Sequence, residues 1–158
     1  MTVLEGKKAP SFSLRNEKGE LVSLEDFANE KYVVLYFYPK DSTPGCTTQA
    51  CDFRDNYEEF SNLNAVILGI SPDNEASHQK FIGKHGLPFS LLIDDEHEVA
   101  EKYGVWKLKK MFGREFMGIE RSTFLINPQG EVVKEWRKVR VKGHIDEALA
   151  TLKQIVNG

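Results

Sequence analysis

Three observations in the 158-residue sequence predict an α/β fold in which a central mixed β-sheet is flanked by helices. An apolar run over 32–38 is followed by an amphipathic helical pattern and a second apolar run, Ala65–Ser71. That order makes a βαβ unit with a right-handed crossover. Near the other end, segments 122–127 and Val132–Trp136 flank a Pro128-Gln129-Gly130 turn and lead into a helical pattern over 145–156, a closing hairpin and last helix. A composition of 41% hydrophobic and 28% charged residues suits one core, so 1–158 is expected to form a single domain.

The remaining elements follow in order. Residues 12–14 and Leu21–Ser23 read as an N-terminal β-hairpin turned by Asn16 to Gly19, and Ser23 as the cap of a short helix, Leu24–Phe27. A helix starting at Thr43 is predicted to run to about Phe60. After Ala65–Ser71 come a helix over Glu75–His85, a strand over 89–94 and a helix over 96–103. The connection 107–120 carries Met111, Phe112, Phe116 and Met117 without a clear period, and reads as an irregular loop pinned by apolar residues. No repeat, low-complexity tract or Pro/Gly linker marks a boundary.

The chemistry concentrates in the stretch Tyr38-Pro39-Lys40-Asp41-Ser42-Thr43-Pro44-Gly45-Cys46, with Cys51 five residues on. Thr43, Pro44, Gly45 and Cys46 read as N-cap, N1, N2 and N3 of the helix, with proline at its favoured first position. A thiol at N3 lies among free backbone N–H groups and the positive end of the helix dipole, which favour the thiolate, and the Thr43 hydroxyl is in reach of its N–H or sulfur. Stepping about 100° per residue, Ala50, Phe53, Tyr57 and Phe60 fall within roughly 40° of Cys46, on the inward stripe. Cys51 lies about 140° away, beside Arg54, Asp55 and Glu58. An intact helix holds the two Cα atoms about 8.5 Å apart, too far for a disulfide, so pairing requires the first turns to unwind.

The same counts exclude other chemistries. Without C-x-x-C, a dithiol reductase is disfavoured. Two cysteines, with His78, His85, His97 and His144 scattered, do not make a structural zinc site, and no metal or cofactor is expected. A net charge of −3 argues against nucleic-acid binding, and the basic residues Lys107, Lys109, Lys110, Arg137, Lys138, Arg140 and Lys142 read as solvated surface. Residues 1–8 lack the apolar core of a signal peptide and no run of about 18 apolar residues is present, so a cytoplasmic location is the default expectation.

Pro39-x-x-x-Thr43-x-x-Cys46 resembles the active-site signature of the peroxiredoxins, cofactor-free thiol peroxidases. The fuller string to Cys46, with Cys51, is similar to their bacterioferritin comigratory protein or peroxiredoxin Q branch. It departs from that branch's commonest form at Gln49, where a glutamate is frequent, a change not expected to abolish the chemistry. Pro10-x-Phe12-x-Leu14, Tyr103-Gly104-Val105-Trp106 and the segment from Met117 to Ile126 extend the resemblance across the chain. It implies a thioredoxin-like fold, which the element order also suits, with Cys46 at the carboxyl end of a central strand. It also implies a peroxidatic Cys46 and a resolving Cys51. Thr43 would hydrogen-bond thiolate and peroxide, Pro39 would shield the pocket, and Arg121, just before strand 122–127, would complete the site. The implied partners are hydrogen peroxide, organic hydroperoxides and thioredoxin or a similar dithiol protein, and the implied state is a monomer. Two alternatives stay open on the residues alone: a general thiol–disulfide oxidoreductase, and a non-enzymatic interaction or peroxide-sensing module.

Overall fold

In the computed structural model, which describes residues 3–158, the apolar run after Lys31 becomes β3 (Tyr32–Phe37), whose residues from Val33 onward are all buried. It is the middle strand of a five-stranded sheet. On one side lie β4 (Ala65–Ser71) and β5 (Ser90–Ile93), both parallel; on the other lie β8 (Ser122–Ile126) and β9 (Val132–Trp136), antiparallel in turn. The order is β5-β4-β3-β8-β9. The sheet is mixed and flanked by helices, the thioredoxin-like arrangement that the element order suits.

The two-residue alternation of a strand sends β3 side chains to both faces. Val33, Leu35 and Phe37 join Phe12, Ile70, Leu92, Tyr103 and Phe124 on one side. That face is covered by the N-terminal hairpin, β1 (Ser13–Arg15) with β2 (Leu21–Ser23), and by α4 (Glu98–Lys102). Val34 and Tyr36 join Cys46, Phe53, Phe60, Phe81 and Leu149 on the other. There sit α1 (Pro44–Asp55), α2 (Tyr57–Asn62), α3 (Glu75–His85) and α5 (His144–Asn157). Gly69 of β4 is needed for this packing: a Cβ there would lie 2.7 Å from Leu91 and 2.9 Å from the Tyr36 ring. Among the described residues no helix is long and apolar enough to cross a membrane.

The structure corrects four expectations. The helix predicted to run to Phe60 breaks at Asn56, whose side chain turns back to donate to the Asp52 carbonyl at 2.8 Å, and restarts as α2. The helix predicted from Glu96 begins at Glu98, because His97 takes a left-handed φ of 52° and stacks on Trp106 at 3.8 Å. The stretch 107–120 is no irregular loop but most of a second hairpin, β6 (Trp106–Met111) with β7 (Arg114–Ile119), turned at Phe112 and Gly113, both with positive φ. Arg137 is not solvated surface: it pairs with Glu135, donates to the Tyr103 and Gly104 carbonyls at 3.1 Å and lies over the Phe124 ring.

Candidate active site

Parallel strands β3, β4 and β5 end on the same side of the sheet, and the chain leaves β3 there through Tyr38, Pro39 and Lys40. Pro39 is half-buried at this exit. Ser42 then takes a left-handed conformation, φ 64°, at a cost of about 1 kcal/mol for a residue with a Cβ. That turn delivers Thr43 as N-cap and Pro44 as N1 of α1, so Cys46 stands at N3 as its spacing predicted. Gly45 and Cys46 belong to the first turn, whose N–H groups have no partner within the helix.

Thr43 differs from expectation in one respect. Its hydroxyl donates to the Lys40 carbonyl at 2.8 Å and makes no capping bond to the Cys46 N–H. It ties down the loop that leads into the helix, and its oxygen keeps lone pairs to accept from a bound molecule.

Arg121 arrives from the strand on the other flank of β3. Ser122 pairs with Phe37, so the residue before it lies beside the exit of β3. Its guanidinium reaches over the first turn of α1, where Nη2 donates to Cys46 Sγ at 3.4 Å and Nη1 donates to Gln49 Oε1 at 2.5 Å. Gly45 makes room: a Cβ there would meet Arg121 Nη2 at 3.2 Å. The fork geometry of guanidinium thus fixes one N–H on a buried amide and aims the next at sulfur.

Cys46 is 2% exposed and packs with Ala50, Phe53 and Tyr36. Burial, with the nearby Cys46 sulfur, pushes the Tyr36 hydroxyl well above its ordinary pKa, so that phenol stays neutral. Cys51 is half-buried on α1, and both thiols are free. With α1 continuous from Pro44 to Asp55, the two sulfurs sit on different flanks, as the helical spacing predicted.

Three residues have roles at the site that the sequence did not assign to them. Gln49, noted in the sequence only as the position where the resembled branch commonly has glutamate, is fully buried and holds Arg121. Gly45 acts only by lacking a Cβ. Lys109, read as solvated, is half-buried, its chain lying 3.3 Å from where a Gly118 Cβ would be. Burial lowers its pKa, and the Arg121 charge lowers it further.

A buried cysteine under an arginine at a helix start, on this sheet, defines a class of thiol enzyme. The model of the AhpC/TSA family matches residues 5–135, and the chain belongs to that family. It is 61% identical to a Bacillus subtilis protein named peroxiredoxin Bcp, over 98% of each chain. It superposes with a TM-score of 0.87 on the Xanthomonas campestris bacterioferritin comigratory protein, at 44% identity and 92% of each chain. That protein's structure is described for its alkyl peroxide reduction activity. A Mycobacterium tuberculosis peroxidoxin BcpB gives a TM-score of 0.86 at 34% identity, over 98% of this chain and 99% of that one. The chain is a peroxiredoxin, a peroxidase and so an oxidoreductase, of the bacterioferritin comigratory protein or peroxiredoxin Q type.

Proposed function

We propose that Cys46 reduces hydrogen peroxide and organic hydroperoxides, and that Cys51 resolves the product. The sulfur of Cys46 attacks one peroxide oxygen; an S–O bond forms as the O–O bond breaks. Sulfur is oxidised by two electrons to a sulfenic acid, and the other oxygen leaves as water or an alcohol after taking the proton that the thiol gave up on ionising. The reading rests above all on the Arg121 Nη2 donor 3.4 Å from Cys46 Sγ. That cation and the free N–H groups of the first turn can hold the peroxide oxygens and stabilise charge growing on the leaving oxygen. The Thr43 oxygen, ahead of the same turn, would accept from the peroxide O–H, while Pro39 would keep water from the loop's other side.

Cys51 then attacks the sulfenic sulfur, an S–S bond forms and water leaves. The helical separation of the thiols requires the first turns of α1 to unwind in this step. Exchange with thioredoxin or a similar dithiol protein returns both thiols. The protein is proposed to work as a monomeric single domain in the cytoplasm, without metal or other cofactor.

Stopped-flow mixing of reduced protein with one equivalent of peroxide tests this. Both thiols should be lost at the rate of peroxide consumption or in a close second phase, and a thioredoxin system should then sustain turnover. Peroxide left unconsumed would refute the reading; loss of one thiol alone would refute the role of Cys51.

A further inference from the structure

A buried polar cluster lies behind the loop that carries Thr43, and the mechanism above makes no use of it. Asp41 is 4% exposed and accepts three hydrogen bonds: from the Tyr38 hydroxyl at 2.5 Å, the Ser77 hydroxyl at 2.8 Å and His78 Nδ1 at 2.7 Å. His78 is 0% exposed, and its other nitrogen, Nε2, faces the Leu92 carbonyl at 3.0 Å. The Asp41 N–H donates to Asp73 Oδ2 at 2.7 Å, and the Ser71 hydroxyl donates to that same oxygen at 2.8 Å.

The bonding fixes the charges. A carbonyl can only accept, so His78 Nε2 carries a proton. On the other side, two hydroxyls already donate to Asp41, the pattern of a carboxylate, so Nδ1 carries one as well. A doubly protonated imidazolium beside a carboxylate, both out of water, needs hydrogen bonds to both partners, and here each ring nitrogen has one and Asp41 has three. Asp73, whose oxygen is within reach of the same group, adds a second negative charge.

The location gives this pair a task. Asp41 immediately precedes Ser42, whose left-handed turn aims Thr43 and the start of α1. Backbone in that region persists where surrounding structure over-determines it. The cluster ties the loop to the ends of β3 and β4, to β5 and to α3 at once. We propose that the buried Asp41–His78 ion pair is a positioning device that holds the Ser42 turn, and through it the Thr43 cap and Cys46, in the geometry that reacts with peroxide.

The proposal rests on the peroxidase reading, and its test separates the two. Nitrogen-15 spectra of the reduced protein at pH 7 should show both His78 ring nitrogens protonated, with slowly exchanging protons; a neutral tautomer would overturn the ion pair. His78→Gln should slow the first oxidation by peroxide about tenfold while circular dichroism and melting show a folded protein at the assay temperature. An unchanged rate in that folded variant would overturn positioning. If His78→Gln does not fold, Ser77→Ala, which removes one donor to Asp41, should slow the same step two- to threefold, and an unchanged rate there would count against the proposal equally. Wild-type protein that consumes no peroxide would instead sink the peroxidase reading, whatever the spectra show of His78.

Discussion

Two thiols share α1, and each has an arginine nearby, yet the two arginines are committed differently. Arg121 binds a neutral amide, Gln49, and turns its next N–H to Cys46. Arg54, beside Cys51, is half-exposed; it pairs with the carboxylate of Asp55 at 3.0 Å and donates to the His85 carbonyl at 2.8 Å. The guanidinium near Cys51 is paired with a carboxylate and wet, whereas the one over Cys46 has a neutral amide partner and lies in a protein-lined site where charge acts more strongly. What separates a reacting sulfur from a helper on one helix is the company its cation keeps.

The sharpest break of that comparison is to remove each sulfur in turn. Cys46→Ser should abolish peroxide consumption, at least about 10⁴-fold, since a hydroxyl is a far poorer nucleophile than a thiolate. Cys51→Ser should leave the first oxidation within about twofold of wild type and stop thioredoxin-driven turnover, as read by stopped flow and a coupled assay. Next come the cations. Arg121→Gln should slow the first oxidation about 10²- to 10³-fold, the usual loss for one preorganised donor. Arg54→Gln, its counterpart by Cys51, should leave that rate within about twofold.

A subtler change makes one arginine resemble the other. Gln49→Glu gives Arg121 the carboxylate partner that Arg54 already has. Because glutamate is frequent here in the branch the sequence resembles, the change should slow the first oxidation by no more than about threefold without loss of melting temperature, and a larger loss would mean that the neutral partner itself matters.

The smallest effect concerns His144, at the start of α5, whose Nε2 meets the Thr123 hydroxyl at 2.8 Å. Burial lowers its pKa to about 4, with the Arg121 charge adding to the lowering. A histidine depressed below its unfolded value near 6.5 contributes stability that is present above that value. The contribution is lost as pH falls from about 6.5 through about 4. Urea unfolding of His144→Gln should therefore decline less than wild type across that window; equal declines would mean the imidazole is not held neutral.

The fold was legible where residues repeat a period or carry a local signal. The run of β3 and the Thr43-Pro44 start of α1 depend on neighbours in sequence, and both lie where expected. The hairpin of β6 and β7 was not, for a physical reason. Apolar side chains stand on both of its faces, Leu108 and Met117 on one, Phe116 and Met111 on the other, so no alternation shows. Its turn puts Phe112, 96% exposed, at a positive φ where the usual signal is asparagine or glycine. At the site, Cys46 announced itself through its position on the helix, whereas Arg121 entered by family resemblance alone. Its contact with Cys46 spans 75 residues, and no local pattern encodes which arginine makes it. Gln49 and the Asp41–His78 pair are of the same kind, polar residues whose meaning lies in what tertiary structure sets against them.

Rapid-quench trapping tests the division of labour between the sulfurs most directly. Reduced wild-type protein is mixed with one equivalent of peroxide, quenched within milliseconds into a reagent that captures sulfenic acid, and mapped by peptide mass spectrometry. The earliest adduct should lie on Cys46 alone, giving way to a Cys46–Cys51 disulfide at later times. An adduct that appears first on Cys51, or equally on both, would contradict the assignment of reactivity to the sulfur beneath Arg121.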